Sequence, residues 1–201
     1  MRTGTLEWGV ALAPLPGEAD CGDLYVVRAF DGGALVAVID AIGHGAQAAR
    51  VAGLAASVLE RHAKEPVQAL LLQCHKRLRG SRGAAISLAS FDDPACTMSW
   101  LGVGNVNGVL LRAGGAAHPR RDSLLVRGGI VGDQLPELEP SGVPVERGDL
   151  LIVATDGIAN GFREALPGKL EPQQLAEQIE RGYAKTTDDA LVLVARYAGA
   201  R

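Results

Sequence analysis

Asp23 and Asp40 are the two residues of this chain best placed to do chemistry together. They bracket the stretch DLYVVRAFDGGALVAVID, in which Leu24–Phe30 and Ala34–Ile39 are rich in Val, Leu, Ile and aromatics and Asp31-Gly32-Gly33 lies between them. Two such runs around a short glycine-rich turn predict a β-hairpin. With Asp31-Gly32 as the turn, paired residues carry numbers that sum to 63, and Asp23 faces Asp40 directly. With Gly32-Gly33 as the turn the sum becomes 65, Asp40 faces Tyr25, and the carboxylates are diagonal neighbours. Directly opposed residues hold their Cβ atoms roughly 4.5–5.5 Å apart, and like charges there repel. A divalent cation offsets that repulsion, and hard ions such as magnesium and manganese take carboxylate oxygens, backbone carbonyls and water as ligands.

A second group of carboxylates has the same character. Gly148-Asp149-Leu150-Leu151-Ile152-Val153-Ala154-Thr155-Asp156-Gly157 is a strand that delivers an aspartate at its end, and Asp188-Asp189-Ala190-Leu191-Val192-Leu193-Val194 is a strand that begins with two. If these strands pair antiparallel, the end of one meets the start of the other, and four or five carboxylates ring one end of a sheet. An aspartate at a strand end is also a common turn or cap residue. Asp31 and Asp149 are read that way, Asp133 as a loop residue, and His44 in Gly43-His44-Gly45 as structural, its glycines allowing a tight strand-to-helix turn.

The elements that must position these residues follow from periodicity. Ala46–Lys64 places Val51, Leu54, Ala55, Val58 and Leu59 on one helical face. Val67–Arg79 is a second helix after Pro66, ending at Gly80, and Glu171–Arg181 is a third, opened by Pro172. Ala84–Phe91, Thr97–Val103, Gly108–Arg112, Ser123–Val126, Leu150–Ala154 and Ala190–Tyr197 read as strands between turns. Strands in runs with helices in two blocks predict an α+β fold. The first hairpin is apolar on both faces, Val27 and Val36 on one and Leu24, Val26 and Ile39 on the other, which implies a sheet inside a sandwich.

Bulk properties narrow the function. The 201 residues are 47% hydrophobic with mean hydropathy +0.12, as expected of one domain with a sizeable core. A net charge of −3 and a lone Arg120-Arg121 pair give no nucleic-acid footprint. Cys21, Cys74 and Cys96 show neither CxxC nor Cys/His spacing, which argues for a reduced, cytoplasmic setting without structural zinc. The N-terminus has acidic Glu7 and a short apolar patch before Pro14, and no run approaches the ~18 apolar residues of a membrane span. No P-loop and no evident Cys or Ser nucleophile motif is present.

Taken in order, Gly22-Asp23, Asp40-Ala41-Ile42-Gly43-His44-Gly45, Gly102-Val103-Gly104-Asn105, Gly148-Asp149, Thr155-Asp156-Gly157 and Asp188-Asp189 resemble the motifs of metal-dependent protein Ser/Thr phosphatases (PPM), in particular the bacterial branch that controls sporulation and stress sigma factors. The resemblance runs from about Trp8 to Tyr197 and implies a single phosphatase domain over 1–201: a layered α-β-β-α sandwich, two antiparallel sheets flanked by helices. It implies a binuclear Mn2+ or Mg2+ centre in which Asp40 bridges both ions, Ala41 gives its backbone carbonyl, and Asp23, Asp156 and Asp188 complete the ligands, with Asp189 the alternative to Asp188. The implied reaction is direct hydrolysis of phosphoserine or phosphothreonine by a metal-activated water.

Two departures stand out. Ala41 replaces the usual glycine, which matters only if the backbone needs φ > 0. His44 lies four residues after Asp40, away from where the eukaryotic branch has its acid histidine, and is not assigned as an acid. The motifs contain no evident phosphate-binding arginine. A bare catalytic domain of this size is similar to RsbX-type feedback phosphatases, which implies phosphorylated stressosome sensor and scaffold proteins as partners. The alternative is a catalytically silent phosphoprotein-binding module of the same fold.

Overall fold

The computed structural model describes residues 1–2, 4–114, 120–164 and 170–199. In chain order the elements are β1 Leu6–Ala13, β2 Asp23–Phe30, β3 Gly33–Ala41, α1 Gly45–His62, α2 Val67–Leu78, β4 Ala84–Asp92 and β5 Thr97–Val103. There follow β6 Asn107–Leu111, β7 Arg121–Leu124, β8 Val126–Arg127, β9 Ser141–Pro144, β10 Leu150–Ala154, a short 3-10 turn Asn160–Glu164, α3 Pro172–Tyr183 and β11 Ala190–Tyr197. Among the described residues these build two sheets, ordered β1-β11-β10-β6-β7 and β2-β3-β4-β5-β8, with β9 joined to β5.

Three apolar layers explain the stacking. α1 and α2 cover the β2–β5 sheet through Val51, Ala52, Ala55, Leu59, Leu70 and Leu71, which meet Leu35, Ala37, Ile39 and Ala41. The opposite face of the same strand, Ala34, Val36 and Val38, packs against Leu191, Leu193 and Ala195 of β11 between the sheets. The outer face of β11, through Ala190, Val192 and Val194, meets Leu175, Ala176 and Ile179 of α3. β3 and β11 are therefore apolar at both odd and even positions because each is covered on both faces. The order helix, sheet, sheet, helix is the α-β-β-α sandwich expected from the sequence.

The hairpin register is the one with sum 63: Asp23 pairs with Asp40, Leu24 with Ile39, and Phe30 with Gly33 across Asp31-Gly32. β10 and β11 pair antiparallel, Ala154 opposite Val192, so Asp156 and the 188–189 pair emerge at the same sheet end.

Three elements depart from the sequence reading. The N-terminal patch is an eight-residue strand, β1, paired with β11 from Leu6↔Tyr197 to Ala13↔Ala190. Its signal is weak because Gly9 interrupts the apolar run, and the reason for that glycine is tertiary: a Cβ there would lie 2.3 Å from the Gln173 Cα of α3. The run Ser123–Val126 is not one strand. The chain leaves one sheet after Leu124 and joins the other at Val126, and the Leu125 carbonyl at the crossing accepts a hydrogen bond from the buried Trp100 Nε1–H at 2.9 Å. β9, four residues ending in Pro144, is too short and polar to announce itself.

Gly9→Ala forces α3 off β1. Overpacking of this kind costs about 1–3 kcal/mol, and the melting temperature of the variant is expected to fall by roughly 3–10 °C, given about 2–4 °C per kcal/mol for chains of this size. An unchanged midpoint in differential scanning calorimetry would contradict the close approach.

Candidate metal centre

The paired ends of β2 and β3 place Asp23 and Asp40 side by side, and the end of β10 brings Asp156 while the start of β11 brings Asp188 and Asp189. Asp40, Asp156 and Asp188 line one cleft of about 550 Å³, together with Ile42, Gly43, His44, Asn105 and Thr187. Asp23 lies behind them, 2% exposed, and its Oδ2 accepts the Thr155 hydroxyl at 2.7 Å. That Oγ1 in turn accepts the Leu191 N–H at 2.9 Å, so one threonine ties the carboxylate of one sheet to the backbone of the other.

Burial and mutual repulsion dominate the electrostatics. Burial, then the neighbouring Asp40 charge, pushes the Asp23 carboxyl up to about 8. Burial, then Asp156 and Asp188, pushes Asp40 up to about 7. Asp188 is raised too, by burial and by Asp156 and Asp189. Like charges brought together out of water favour the protonated forms. A divalent cation is the natural alternative to those protons.

The two consecutive aspartates do different work. The Asp189 side chain is buried, and both oxygens are occupied by backbone donors: Leu15 N–H to Oδ1 at 2.8 Å and Gly22 N–H to Oδ2 at 2.7 Å. Asp188 faces the cleft and accepts the Asp189 N–H at 2.9 Å on one oxygen. Ala41 is buried with its N–H bonded to the Gly22 carbonyl at 3.2 Å. Among the described residues the sole non-glycine with positive φ is Cys96, so Ala41 bears no strain and the departure from glycine is accommodated.

Several site residues carried no assigned role in the sequence. Asn105 Nδ2 donates to Asp156 Oδ2 at 2.8 Å, and Lys185 Nζ donates to the Asp156 backbone carbonyl at 2.5 Å. The Arg82 guanidinium packs against Gly43 at the cleft, where a Cβ would lie 2.6 Å from its Nη1. His44 Nδ1 sits 2.7 Å from Glu18 Oε1. Asn105 and Thr155 stand inside quoted motifs and were findable, whereas Arg82, Lys185 and Glu18 reach the site only through tertiary contact. Burial pushes the Cys21 and Cys74 thiols up to about 12, the reverse of what a nucleophilic thiolate needs.

Among the described residues no three His, Cys, Asp or Glu side chains already close around a point as ligands to one ion. The donor chemistry nevertheless fits a hard divalent cation: every candidate donor is oxygen, and two buried carboxyls are pushed up by burial and by the aspartates around them.

Two sheets between helices with carboxylates converging at one end define a protein of the PPM phosphatase class. The family model for Stage II sporulation protein E (SpoIIE) matches residues 31–198, and the chain belongs to that family. It is 25% identical over 143 residues to the phosphoserine phosphatase RsbX of Bacillus subtilis (strain 168), covering 71% of this chain and 69% of RsbX. A crystal structure of RsbX in complex with magnesium superposes with TM-score 0.87 at 20% identity over 98% of each chain. A chain solved in work on the bacterial stressosome, described as a modular system adapted to control secondary messenger signaling, is 32% identical with TM-score 0.86, covering 95% of this chain and 99% of that one. The PPM Ser-Thr phosphatase MsPP from Mycobacterium smegmatis, in complex with cacodylate, shares the fold at TM-score 0.74 and 15% identity, over 98% of this chain and 100% of its own.

The raised carboxyls fix the pH dependence of the metal-free protein. The folded state keeps protons on Asp23 and Asp40 up to about 8 and about 7, while the unfolded chain releases them near 3.8. Between those values the unfolded state binds fewer protons, so stability is highest at the acidic end and falls as pH rises through the window. In chelator the thermal midpoint is expected to drop from pH 5 to pH 8, and saturating magnesium is expected to shrink the drop. A midpoint that climbs with pH in chelator would contradict the raised carboxyls of Asp23 and Asp40.

Proposed function

We propose that this chain, as one phosphatase domain over 1–201, hydrolyses phosphoserine or phosphothreonine on protein substrates with Mn2+ or Mg2+. The observation that carries this reading is the meeting of Asp40, Asp156 and Asp188 in one open cleft with Asp23 directly behind. Asp23, Asp40, Asp156, Asp188 and the Ala41 carbonyl would hold the ions, and Asp189 braces the loop over 15–22 because both its oxygens are already engaged. When bound, such ions make a nucleophile of water at neutral pH and stabilise charge on the phosphoryl oxygens. The chain supplies the rest. Asn105 and Lys185 hold Asp156 in place. Arg82, which among the described residues pairs with no carboxylate, sits beside Gly43 as a cation for the substrate phosphate. Phosphoester chemistry needs no side-chain nucleophile here, in keeping with the elevated thiols.

The substrates we propose are phosphorylated sensor and scaffold proteins of a stressosome, in the cytoplasm. Likeness to RsbX and to the stressosome chain supports this. The net charge of −3 supports a protein rather than a nucleic-acid partner, and among the described residues no helix is long and apolar enough to cross a membrane. A silent phosphoprotein-binding module is the other reading. The retained Asp23, Asp40, Asp156 and Asp188 favour the enzyme, since a binder has no need of a repelling carboxylate cluster.

Phosphate release from phosphorylated stressosome proteins, measured with manganese and with chelator, tests the function. Activity is expected with metal and none with chelator, and phosphate release untouched by chelator would contradict the reading. Asp40→Asn is expected to lower kcat by at least on the order of 10²–10³-fold, the usual cost of losing one charge-stabilising group, with the fold intact by circular dichroism. Arg82→Ala is expected to raise KM for the phosphoprotein by roughly 10–100-fold, since hydrogen bonds to charged groups are worth about 1.5–3 kcal/mol. An unchanged KM would remove Arg82 from phosphate binding.

A further inference from the structure

The carboxylate cleft carries an apolar surface that the metal chemistry leaves unused. Among the described residues the large apolar side chains open to solvent are Met1, Leu12, Ile42, Leu72 and Leu125, and of these Ile42 alone lines the cleft. Half-buried Ile130 lines it too. Both isoleucines are anchored on one residue, Gly83: the Ile42 N–H donates to its carbonyl at 3.1 Å, and a Cβ on it would lie 2.4 Å from Ile130 Cγ2. They therefore belong to one wall. That wall is fixed from behind, since Ala84 and Val131 exchange N–H to carbonyl bonds of 3.0 and 2.9 Å, the Ile130 N–H donates to the Gln134 carbonyl at 2.7 Å, and the Gly132 N–H donates to His75 Nδ1 of α2 at 3.0 Å. Isoleucine is also stiff at χ1, so little further freedom is lost when such a surface is covered. Gly128 leaves room beside it. Its φ is not positive and a Cβ there would meet no atom within 4 Å, so neither the backbone nor internal packing among the described residues demands a glycine at this place in the cleft lining.

We propose that Ile42 and Ile130, with the open backbone at Gly128, form a subsite for an apolar side chain next to the phosphoserine or phosphothreonine of the substrate. This rests on the phosphatase reading above. A phosphate seated over Asp40, Asp156 and Asp188 ties its own residue to the cleft, and each further residue of an extended chain lies only ~3.3–3.6 Å beyond the last. The flanking side chains are thus brought to the wall. The cleft holds about 550 Å³, within the roughly 300–1,000 Å³ of sites that enclose a drug-sized molecule, so it has room for more than a phosphate ester. Covering Ile42 and Ile130 takes apolar surface out of water, which favours Leu, Ile, Val or Met as the flanking residue. An amide or charged side chain would have to shed water there without a partner.

Three phosphoserine peptides that share the rest of their sequence make the test: one with leucine before the phosphoserine and asparagine after it, one with the two exchanged, and one with asparagine at both positions. Phosphate release from each, and from p-nitrophenyl phosphate, is measured in excess manganese for wild type, Ile42→Ser, Ile130→Ser and Gly128→Val. In wild type kcat/KM is expected to be roughly tenfold higher for the better leucine peptide than for the asparagine peptide, the low end of the ~10–200-fold that a methylene-sized contact in an apolar pocket supplies, because this wall is open on one side. Each substitution is expected to bring that ratio close to unity. Ile42 is exposed and a Gly128 Cβ meets nothing, so these two variants carry the test should Ile130→Ser, which removes the contact on Gly83, fail to fold. Equal kcat/KM on all three peptides in wild type overturns the subsite, and so does a leucine preference that survives in folded Ile42→Ser or Gly128→Val. Hydrolysis of p-nitrophenyl phosphate with none of any peptide overturns it as well. Wild type inactive on every ester with manganese would instead overturn the phosphatase reading itself.

Discussion

Everything at the functional end of this molecule depends on one unfavourable interaction, the enforced proximity of Asp23 and Asp40. The hairpin register places them opposite each other, and packing on both faces of β3 prevents the strand from slipping. A one-residue slip would send Val36 and Val38 to the helix side and Ile39 between the sheets, a cost spread over the whole core. Apolar burial thereby holds in place a carboxylate pair that would separate if free. Both carboxyls are raised, by burial first and then by neighbouring charge, that of Asp40 on Asp23 and those of Asp156 and Asp188 on Asp40.

The second sheet serves the first. Thr155 at the end of β10 donates to Asp23 and accepts from Leu191, so the two sheet ends are joined at the carboxylates themselves and not only through the apolar layer between them. Asp189 extends the bracing to the loop over 15–22, with two backbone hydrogen bonds to a buried carboxylate. Charge-assisted bonds of this kind are among the stronger neutral-pH contacts available, and they explain why an aspartate next to the cleft can be buried without joining it.

Sequence was most informative where local chemistry and chain direction coincide. Asp31-Gly32-Gly33 between apolar runs was enough for the hairpin and narrowed its register to two, of which the structure has the one with Asp23 opposite Asp40, and the run-and-turn pattern of 150–154 and 190–197 brings Asp156 and Asp188 together once those strands pair antiparallel, as they do. It was least informative where meaning lies in a contact between distant residues. β1 hides because Gly9 answers to α3, and Leu125 hides as a strand break because Trp100 claims its carbonyl. Asp188 and Asp189 are equivalent in sequence, and their division into cleft-facing and buried residues follows from where the N–H groups of Leu15 and Gly22 happen to point. Arg82 lies on the turn before β4, far in sequence from every motif, and reaches Gly43 only because the Ile42 N–H bonds to the Gly83 carbonyl at 3.1 Å and joins the two turns.

The same contrast bears on how specificity can be built here. The cleft is shallow in chemical variety, with carboxylates at its base and small residues, Gly43, Gly104, Gly128 and Gly129, around it. Glycines bring backbone close to a phosphate but recognise little of the chain that carries it. Discrimination among phosphoproteins must then come from groups at the edge of the cleft, and these are open to solvent: Ile42, 40% exposed, with the exposed Arg82 and His44 nearby. An enzyme that must release its product gains from such a rim, since small, partly solvated contacts speed dissociation while a large dry interface would slow it. The side chains above the carboxylate floor are thus where related chains can diverge in what they bind without disturbing the register that brings Asp23 and Asp40 together.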